Sequence, residues 1–356
     1  MADQKRLAES VGEYLLWRRA TCAAATVKNE GFVLRRFVDW YGDVQLRHMT
    51  PEKVADWFFG PNGLRHPHVT RDGVHREPVA ATTANYYRIR LASFFRWATR
   101  RGLLRRDLLG DVEALPTTRR TRLQVPPEGL LRLLDVVADG RDRAFIALLI
   151  TTGFRAGTAT RLRYGDIDLG TGTISVLITK SHVEDDFPIT LDLDTELRRW
   201  LRRYARDVGR PLRPTDHLFP ARTGGVYRWT ASEDGEKQRL RTAPSWVPER
   251  PMTHTERVVQ EGLRALGLPT NSEGAHTIRR SFARSLFDSM SETTGYDAAL
   301  RTVAASLHHK SSATTELYLS MSSERSRRDA LLRGAPFLTA MVGTSDNVVA
   351  LRHAGD

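Results

Sequence analysis

Cysteine is nearly absent from this sequence, since Cys22 is the only one in 356 residues. No disulfide can therefore form within the chain, and a zinc site built from several cysteines is excluded. Long apolar runs are also lacking, because the longest, residues 144–150, is far shorter than the ~20 residues of a membrane span. The first residues contain no apolar stretch of the kind that a secretion signal needs. We therefore expect a cytoplasmic protein that makes no contact with a membrane.

Acidic residues are too few to balance the basic ones. Asp and Glu number 42 against 54 Lys and Arg, which leaves a net charge of +12 and a pI near 10.2. This balance favours a polyanionic partner, and a nucleic acid fits it better than an anionic membrane surface. Only six of the 54 basic residues are lysines. A GC-rich coding sequence would explain the arginine excess equally well, so the arginine count alone indicates no mechanism.

Residues 1–115 have the pattern of a helical domain, with apolar residues at helical spacing between short polar turns. Thr50 and Pro51 have the residue types of an N-cap and a first helical position. Another helix is expected from about Thr83 to the stop signal Gly102. A basic linker, residues 116–126, follows. The arginines that we expect to contact nucleic acid, on that helix and in the linker, are Arg88, Arg96, Arg100, Arg119, Arg120 and Arg122.

Residues 127–333 mix amphipathic helical patterns with a short β-rich stretch. The runs 173–179 and 187–190 predict a hairpin with a polar turn between its strands. Residues 221–251 have no clear period and several Gly, Pro and Ser residues, so we expect a long loop there. The expected fold class is mainly α with a small β-hairpin or sheet, and residues 334–356 form a tail after the second domain.

Four short segments carry groups suited to handling a phosphate. They are Thr152-Gly153-Phe154-Arg155, Thr179-Lys180, His276-Thr277-Ile278-Arg279, and Leu307-His308-His309 followed nine residues later by Tyr318. The segment His276 to Ala283 resembles the His-x-Leu-Arg-His-Thr-Phe-Ala run of the tyrosine recombinase (phage integrase) family. Leu307 to Tyr318 resembles that family's Leu-Gly-His-Ser-Ser-x-x-Thr-Thr-x-x-Tyr run. A lone His-x-x-Arg would be weak, but here order, spacing and flanking residues agree, over roughly residues 126–332.

This resemblance implies a helical SAM-like core-binding domain followed by a mixed α/β catalytic domain. It implies a site-specific DNA recombinase that serves integration or excision of a phage or mobile element. The first helical pattern begins close to the N-terminus, which favours a simple Xer-like recombinase without a separate arm-binding domain. The catalytic set that the resemblance implies is Arg155, Lys180, His276, Arg279, His309 and the nucleophile Tyr318.

The chemistry of phosphodiester cleavage explains why these residue types belong together. Attack on the phosphorus builds negative charge on the nonbridging oxygens, and Arg155 and Arg279 present fork-shaped donors that match those oxygens. Tyr318 needs a proton acceptor, for which His276 is the natural candidate, because a phenol with a pKa of ~10 is protonated at neutral pH. Lys180 fits the general acid that protonates the departing 5′ oxygen. His309 would donate a hydrogen bond to the phosphate.

The chain departs from the family pattern at several positions. Thr158 stands where the family has an acidic residue that helps to hold the first arginine, and Arg280 follows the second arginine where a histidine is common. His308 replaces the usual glycine. The acidic run 184–186 follows Lys180, where the family tends to be basic, and we expect its carboxylates to point away from DNA because they would repel phosphates.

The expected partner is double-stranded DNA that carries recombination sites, which makes the protein nucleoid-associated. The resemblance implies a homotetramer on two DNA sites that exchanges strands through a Holliday junction, and a monomer or weak oligomer when free. An accessory directionality factor stays open. No cofactor and no metal are expected, since the adjacent pair His308 and His309 points apart on a helix. We expect residues 334–356 to dock on a neighbouring protomer. Two alternatives remain: a type IB topoisomerase, and a DNA-binding protein that kept this fold without catalysis.

Overall fold

The structure is a computed structural model that describes residues 5–69, 73, 75–117, 122–178, 183–224, 227–231, 237–241, 245–309, 311–319 and 321. The chain divides into two compact units, residues 1–120 and 121–356. In the part of the chain that the structure describes, no helix is long and apolar enough to cross a membrane. Lys180, Arg119, Arg120 and the predicted tail, residues 334–356, lie outside the described residues.

The first unit is a helical bundle. Its described elements are α1 (Leu7–Thr21), α2 (Ala24–Tyr41), α3 (Pro51–Phe59), β1 (His68–Val69), β2 (His75–Arg76) and α4 (Ala81–Arg100). Thr50 caps α3 as predicted, because its side chain accepts a hydrogen bond from the amide of Lys53 (3.3 Å) and Pro51 follows it. The helix expected from about Thr83 is α4, which begins at Ala81 and buries Phe94 and Phe95.

A charged network lies inside this bundle. Glu30 of α2 has no exposed surface and accepts hydrogen bonds from Nε and Nη2 of Arg18, at 2.7 and 2.8 Å. Arg90 of α4 forms a second ion pair with Glu30 (3.4 Å), and the Tyr14 hydroxyl donates to it at 3.4 Å. Burial and the charge of Glu30 raise the pKa of Tyr14 to about 12, so the phenol stays a donor. The network joins α1, α2 and α4.

The second unit combines helices with small antiparallel sheets, which confirms the predicted fold class. Its described helices are α5 (Pro127–Val136), α6 (Gly140–Thr152), α7 (Ala156–Ala159), α8 (Leu191–Val208), α9 (Thr255–Ala265), α10 (Ala275–Thr294), α11 (Tyr296–Ser306) and α12 (Ser312–Leu319). Its described strands are β3 (Ile167–Asp168), β4 (Thr173–Ile178), β5 (Val183–Pro188), β6 (Pro220–Arg222), β7 (Tyr227–Ala231), β8 (Lys237–Arg241) and β9 (Trp246–Pro251).

Helix α6 forms the centre of this unit. Residues 144–149 are all buried, because α6 packs against α5, α8 and α10. The apolar run that is too short to span a membrane is therefore a core helix. Its C-terminal end delivers the Gly153-Phe154-Arg155 turn to the site described below.

The predicted hairpin is present, with its second strand shifted. Strands β4 and β5 pair antiparallel, with Val176 opposite Asp185 and Ile174 opposite Phe187, and β3 adds a third strand. The strand β5 begins four residues earlier than expected and contains the acidic run 184–186. Asp and Glu have low strand propensity, but this segment forms a strand because it pairs with the apolar strand β4.

The expectation of a long loop over residues 221–251 is wrong. In the described residues of that stretch, β6 pairs with β9 and β7 pairs with β8, all antiparallel. The strands are short, and β9 contains Pro248 and Pro251, so turn-forming residues hid the pattern. The ring of Trp246 in β9 packs on Trp200 of α8, with ring centroids 5.2 Å apart, and Arg222 covers it at 4.1 Å.

Candidate active site

Arg279 ties three segments of the second unit together. Its side chain is 3% exposed and projects from α10. One terminal nitrogen donates to the carbonyl of Gly153, and the other donates to the carbonyl of Leu307 at 2.6 Å. Gly153 must be glycine, since its φ is +63° and a Cβ there would lie 2.3 Å from a ring carbon of Phe282. The guanidinium therefore fixes the turns before Arg155 and before the His308-His309 pair.

Arg155 supplies the second positive charge of this site. It is the N-cap residue of α7, half-buried, directly after the buried Phe154. Burial, and then the charge of Arg155, lower the pKa of Arg279 to about 10, so Arg279 remains cationic at neutral pH. Among the described residues, neither arginine forms an ion pair with a carboxylate. Two neighbouring guanidinium groups without an acid between them form a site for an anion.

Thr158 occupies the position where the family has an acidic residue. It is buried, and its amide donates to the carbonyl of Arg155 at 2.8 Å within the first turn of α7. This bond fixes the main chain of Arg155, and Thr158 supplies no carboxylate to its guanidinium. This departure adds to the net positive charge around the two arginines.

Tyr318 lies beside this anion site in the same chain. It projects from α12, and its hydroxyl donates to the main-chain carbonyl of His276 at 3.3 Å. Burial raises the pKa of Tyr318, while the charges of Arg279, Arg280 and Arg155 oppose that rise. The phenol is therefore protonated at neutral pH, and it needs a proton acceptor before it can attack.

His309 packs edge-on against the ring of Tyr318, with ring centroids 5.4 Å apart. Its Nδ1 lies 2.9 Å from the hydroxyl of Thr315, which is fully buried. Burial and the charges of Arg279 and Arg155 lower the pKa of His309 to about 4, so the ring is neutral. With its proton on Nε2, the ring accepts from Thr315 and keeps an N–H free for an anion.

His276 is the second residue of α10, and its side chain is exposed. Partial desolvation and the charge of Arg279 lower its pKa, while the carboxylate of Glu256 opposes this shift. The imidazole is thus neutral at neutral pH and able to accept a proton. The contact with Tyr318 is made by the main-chain carbonyl of His276 and not by its ring.

Lys180 belongs to the tip between β4 and β5, outside the described residues, so its role stays a prediction. The base of that hairpin adjoins the site, because Phe187 packs against Phe154 with ring centroids 4.7 Å apart. The ring of Phe187 also lies 6.0 Å from that of His308, between ring centroids. The hairpin is therefore attached next to Arg155.

The acidic run has two faces. Glu184 and Asp186 are exposed, and Asp186 accepts a hydrogen bond from Ser175 at 2.8 Å. Asp185 instead lies 3.5 Å from Nε2 of His308. Asp185 faces His308 because neighbouring strand residues alternate between the two faces of the hairpin. The expectation that the run points away from DNA stays a prediction. His308 itself has a left-handed φ of +50°, which explains why glycine suits this position.

The arginines expected to contact DNA are placed differently. Arg96 and Arg100 are exposed on α4. Arg88 is half-buried, and its Nε donates to the carbonyl of Val112. Arg122 is exposed and donates to the carbonyl of Ser272 at 3.4 Å. Arg100 also donates from Nε, to the carbonyl of Arg96 at 3.4 Å, so contacts within the protein engage three of these four side chains.

Three contributors to the site were missed by sequence reasoning. Thr315 holds His309, and its place inside the quoted motif was the available signal. Arg280 forms a buried ion pair with Glu273 and donates from Nε to the carbonyl of Leu123 at 3.3 Å. The third is Gln124, and nothing in the local pattern marked it.

Within the described residues, no group of three or more His, Cys, Asp or Glu side chains is arranged to hold a metal ion.

The histidines make the stability of the second unit depend on pH. His217, His276, His308 and His309 all have lowered pKa values, so the unfolded chain binds protons at a higher pH than the folded unit. We expect the unfolding temperature to fall as pH is lowered from about 6.5 towards 4, measured by calorimetry of the full chain. The aspartates with lowered pKa values, such as Asp216, lose their contribution to the stability of the folded unit only below this pH interval.

A His309→Asn variant should show a weaker fall over that interval. The matched control is His48→Asn, because His48 is exposed in the first unit. An identical pH dependence in the wild type and in His309→Asn would contradict the expectation.

Residues 125–325, more than half of the chain, match the profile of the Phage integrase family. The chain therefore belongs to the phage integrase family, the tyrosine recombinases, which cleave and rejoin DNA. It is 29% identical over 256 residues to tyrosine recombinase XerD of Ralstonia nicotianae, covering 70% of this chain and 73% of that protein. It is 28% identical over 316 residues to the putative integrase/recombinase y4rF of Sinorhizobium fredii, covering 85% of this chain and 64% of that protein.

Solved structures share the fold. A lambda integrase dimer bound to a COC′ core site superimposes with a TM-score of 0.60 at 18% identity, covering 89% of this chain and 78% of that one. The Tn1549 transposon integrase in complex with transposon right end DNA gives a TM-score of 0.62 at 13% identity, covering 92% and 98%. The tyrosine recombinase fold expected from the motifs is thereby confirmed.

Proposed function

We propose that this recombinase breaks and rejoins DNA at a specific site through a covalent bond between Tyr318 and a 3′ phosphate. The observation that carries the proposal is the position of the Tyr318 hydroxyl beside Arg279 and Arg155 within one chain. A nucleophile beside an anion site can attack a phosphate that binds there. Among the described residues, no carboxylate pairs with the two arginines of this site. Each protomer would cleave with its own tyrosine, since no second chain is needed to complete the arrangement.

The proposed first step forms a bond between Tyr318 Oη and phosphorus and breaks the bond from phosphorus to the 5′ oxygen. Arg155 and Arg279 neutralise the charge that grows on the nonbridging oxygens, and His309 donates from Nε2. The neutral ring of His276 takes the phenolic proton, after a small movement from the observed contact with its carbonyl. Lys180 gives a proton to the departing oxygen.

The reverse chemistry rejoins the strands. The phosphotyrosyl bond keeps the energy of the phosphodiester, and a 5′ hydroxyl from a partner strand attacks it. Four protomers on two DNA sites would exchange strands in pairs. A lambda integrase tetramer bound to a Holliday junction shares this fold, with a TM-score of 0.56 at 18% identity. Integration or excision of a phage or mobile element is the proposed biological use.

A covalent capture experiment tests this proposal. The full chain is incubated with a library of duplex DNA fragments, protein is denatured, and DNA that stays attached to protein is sequenced. We expect attachment at a defined sequence through Tyr318, mapped by mass spectrometry, and no attachment with Tyr318→Phe. Attachment through another residue, or none with the wild type, would overturn the proposal.

The captured sequence then serves for a two-site recombination assay, run beside relaxation of a supercoiled plasmid that lacks it. Recombination of the captured site without relaxation of the plasmid is expected. Relaxation without recombination would indicate a type IB topoisomerase instead.

A further inference from the structure

The chain enters the second unit along the two helices that carry the site. Residues 122–125, here called the connecting segment, were expected to belong to a basic linker. Instead the amide of Val125 donates to the hydroxyl of Ser281 at 2.8 Å, and Val125 is 2% exposed. The amide of Leu123 donates to Glu273 at 3.4 Å. Both partners belong to α10 or to the turn before it, next to His276 and Arg279.

Gln124, between these two residues, turns towards the nucleophile. Its Nε2 donates to the main-chain carbonyl of Leu319 at 3.0 Å, across 195 positions of sequence. Leu319 directly follows Tyr318. We call Arg155 and Arg279 the phosphate clamp. The backbone of the connecting segment thus contacts α10, the helix of Arg279, and one of its side chains contacts α12, the helix of Tyr318.

This contact meets a specific need of α12. The helix has only eight residues, so its own hydrogen bonds hold it weakly, and its last carbonyls have no partner within the helix. The amide of Met321 satisfies the carbonyl of Glu316 at 2.9 Å. Gln124 satisfies the carbonyl of Leu319, whose side chain is 1% exposed in the surrounding apolar cluster. A side chain from a distant segment therefore caps the end of the helix beside Tyr318.

We propose that Gln124 is a positioning residue for Tyr318, which holds the end of α12 so that the phenol stays beside Arg279 and Arg155. The proposal rests on the function proposed above. It also gives the first residues of the second unit a direct mechanical connection to the nucleophile. Loss of the amide donor should leave the phosphate clamp and the folded unit intact and should misplace only the attacking oxygen.

The test compares Gln124→Met, which keeps the length of the side chain and removes the donor, with Gln260→Met. Gln260 is a matched control, because its Nε2 also donates to a main-chain carbonyl, that of Glu273, at 2.9 Å. Single-turnover formation of the covalent adduct is measured on the DNA sequence recovered by covalent capture. We expect Gln124→Met to slow this step about tenfold. DNA affinity and unfolding temperature should match those of Gln260→Met, whose rate should stay near that of the wild type.

A second substrate separates positioning of the nucleophile from help to the leaving group. A 5′-bridging phosphorothiolate leaves as a thiolate and needs no general acid, so it should restore Lys180→Ala and should not restore Gln124→Met. The Gln124→Glu variant places a carboxylate oxygen opposite the carbonyl of Leu319. Its formation of the covalent adduct should be slowed at least as much as that of Gln124→Met.

Three results would overturn the inference: a wild-type rate in both Gln124 variants, an equal loss in Gln260→Met, or rescue of Gln124→Met by the phosphorothiolate. A wild-type chain that forms no adduct at all would instead refute the proposed function.

Discussion

Replacing Arg279 by lysine should slow formation of the covalent adduct by roughly a hundredfold to a thousandfold, the loss typical for one preorganised donor to a developing oxyanion. In the structure Arg279 acts twice. It binds the carbonyls of Gly153 and Leu307, and in the proposed mechanism its remaining donors would bind the phosphate. A lysine ammonium cannot span these two carbonyls and still present a planar pair of donors.

The pH dependence of the lysine variant should also change. The same burial and the same charge of Arg155 that lower the pKa of Arg279 to about 10 would lower the pKa of a lysine from its ordinary value of ~10.4. The variant should therefore lose its residual activity as pH rises from about 7 to 9. The wild type should not lose activity in that interval, because its arginine stays charged.

Arg284→Lys is the matched control for this experiment. Arg284 lies on the same helix and pairs at 2.7 Å with Asp288, four residues later, in contact with solvent. The adduct rate of this control should stay within about twofold of the wild type. If Arg279→Lys cleaves as fast as Arg284→Lys, the clamp role of Arg279 is refuted.

The sequence predicted the parts of the site that lie within short motifs. Arg155, Arg279, His309 and Tyr318 come from three separated segments, and the family order was enough to expect them in one place. Their observed proximity agrees with that expectation, while the role of each stays a proposal. Helix α4 could also be predicted from the sequence, because its apolar spacing continues over five turns.

Other features depended on contacts between distant residues and left no local signal. Strands β6 to β9 are short, and β6 and β9 contain prolines, so only their pairing reveals them. The contact of Asp185 with His308 depends on the alternation of side chains along β5, and no short motif indicated it. Gln124 lies in a stretch whose prolines and arginines resemble a linker, and only its contact with Leu319 distinguishes it.

The largest effect on stability should come from Arg18→Met in the first unit. This change removes both short hydrogen bonds to Glu30, a carboxylate with no exposed surface. Arg90 and Tyr14 remain, each at 3.4 Å, too distant to replace them. A buried carboxylate that loses its main partner costs about 3 kcal/mol or more. We expect the unfolding temperature of the first unit to drop by roughly 10–20 °C in calorimetry of the full chain.

Two further variants make this prediction specific. Arg19→Met changes the exposed neighbour on the same helix and should leave the unfolding temperature within about 2 °C of the wild type. The double variant with Arg18→Met and Glu30→Met removes both charges and should recover most of the loss, since apolar side chains of similar volume often replace buried ion pairs at little cost. Arg90 can still reach water, because a quarter of its side chain is exposed. If the double variant is less stable than Arg18→Met alone, the loss arises from packing and not from an unpaired buried charge.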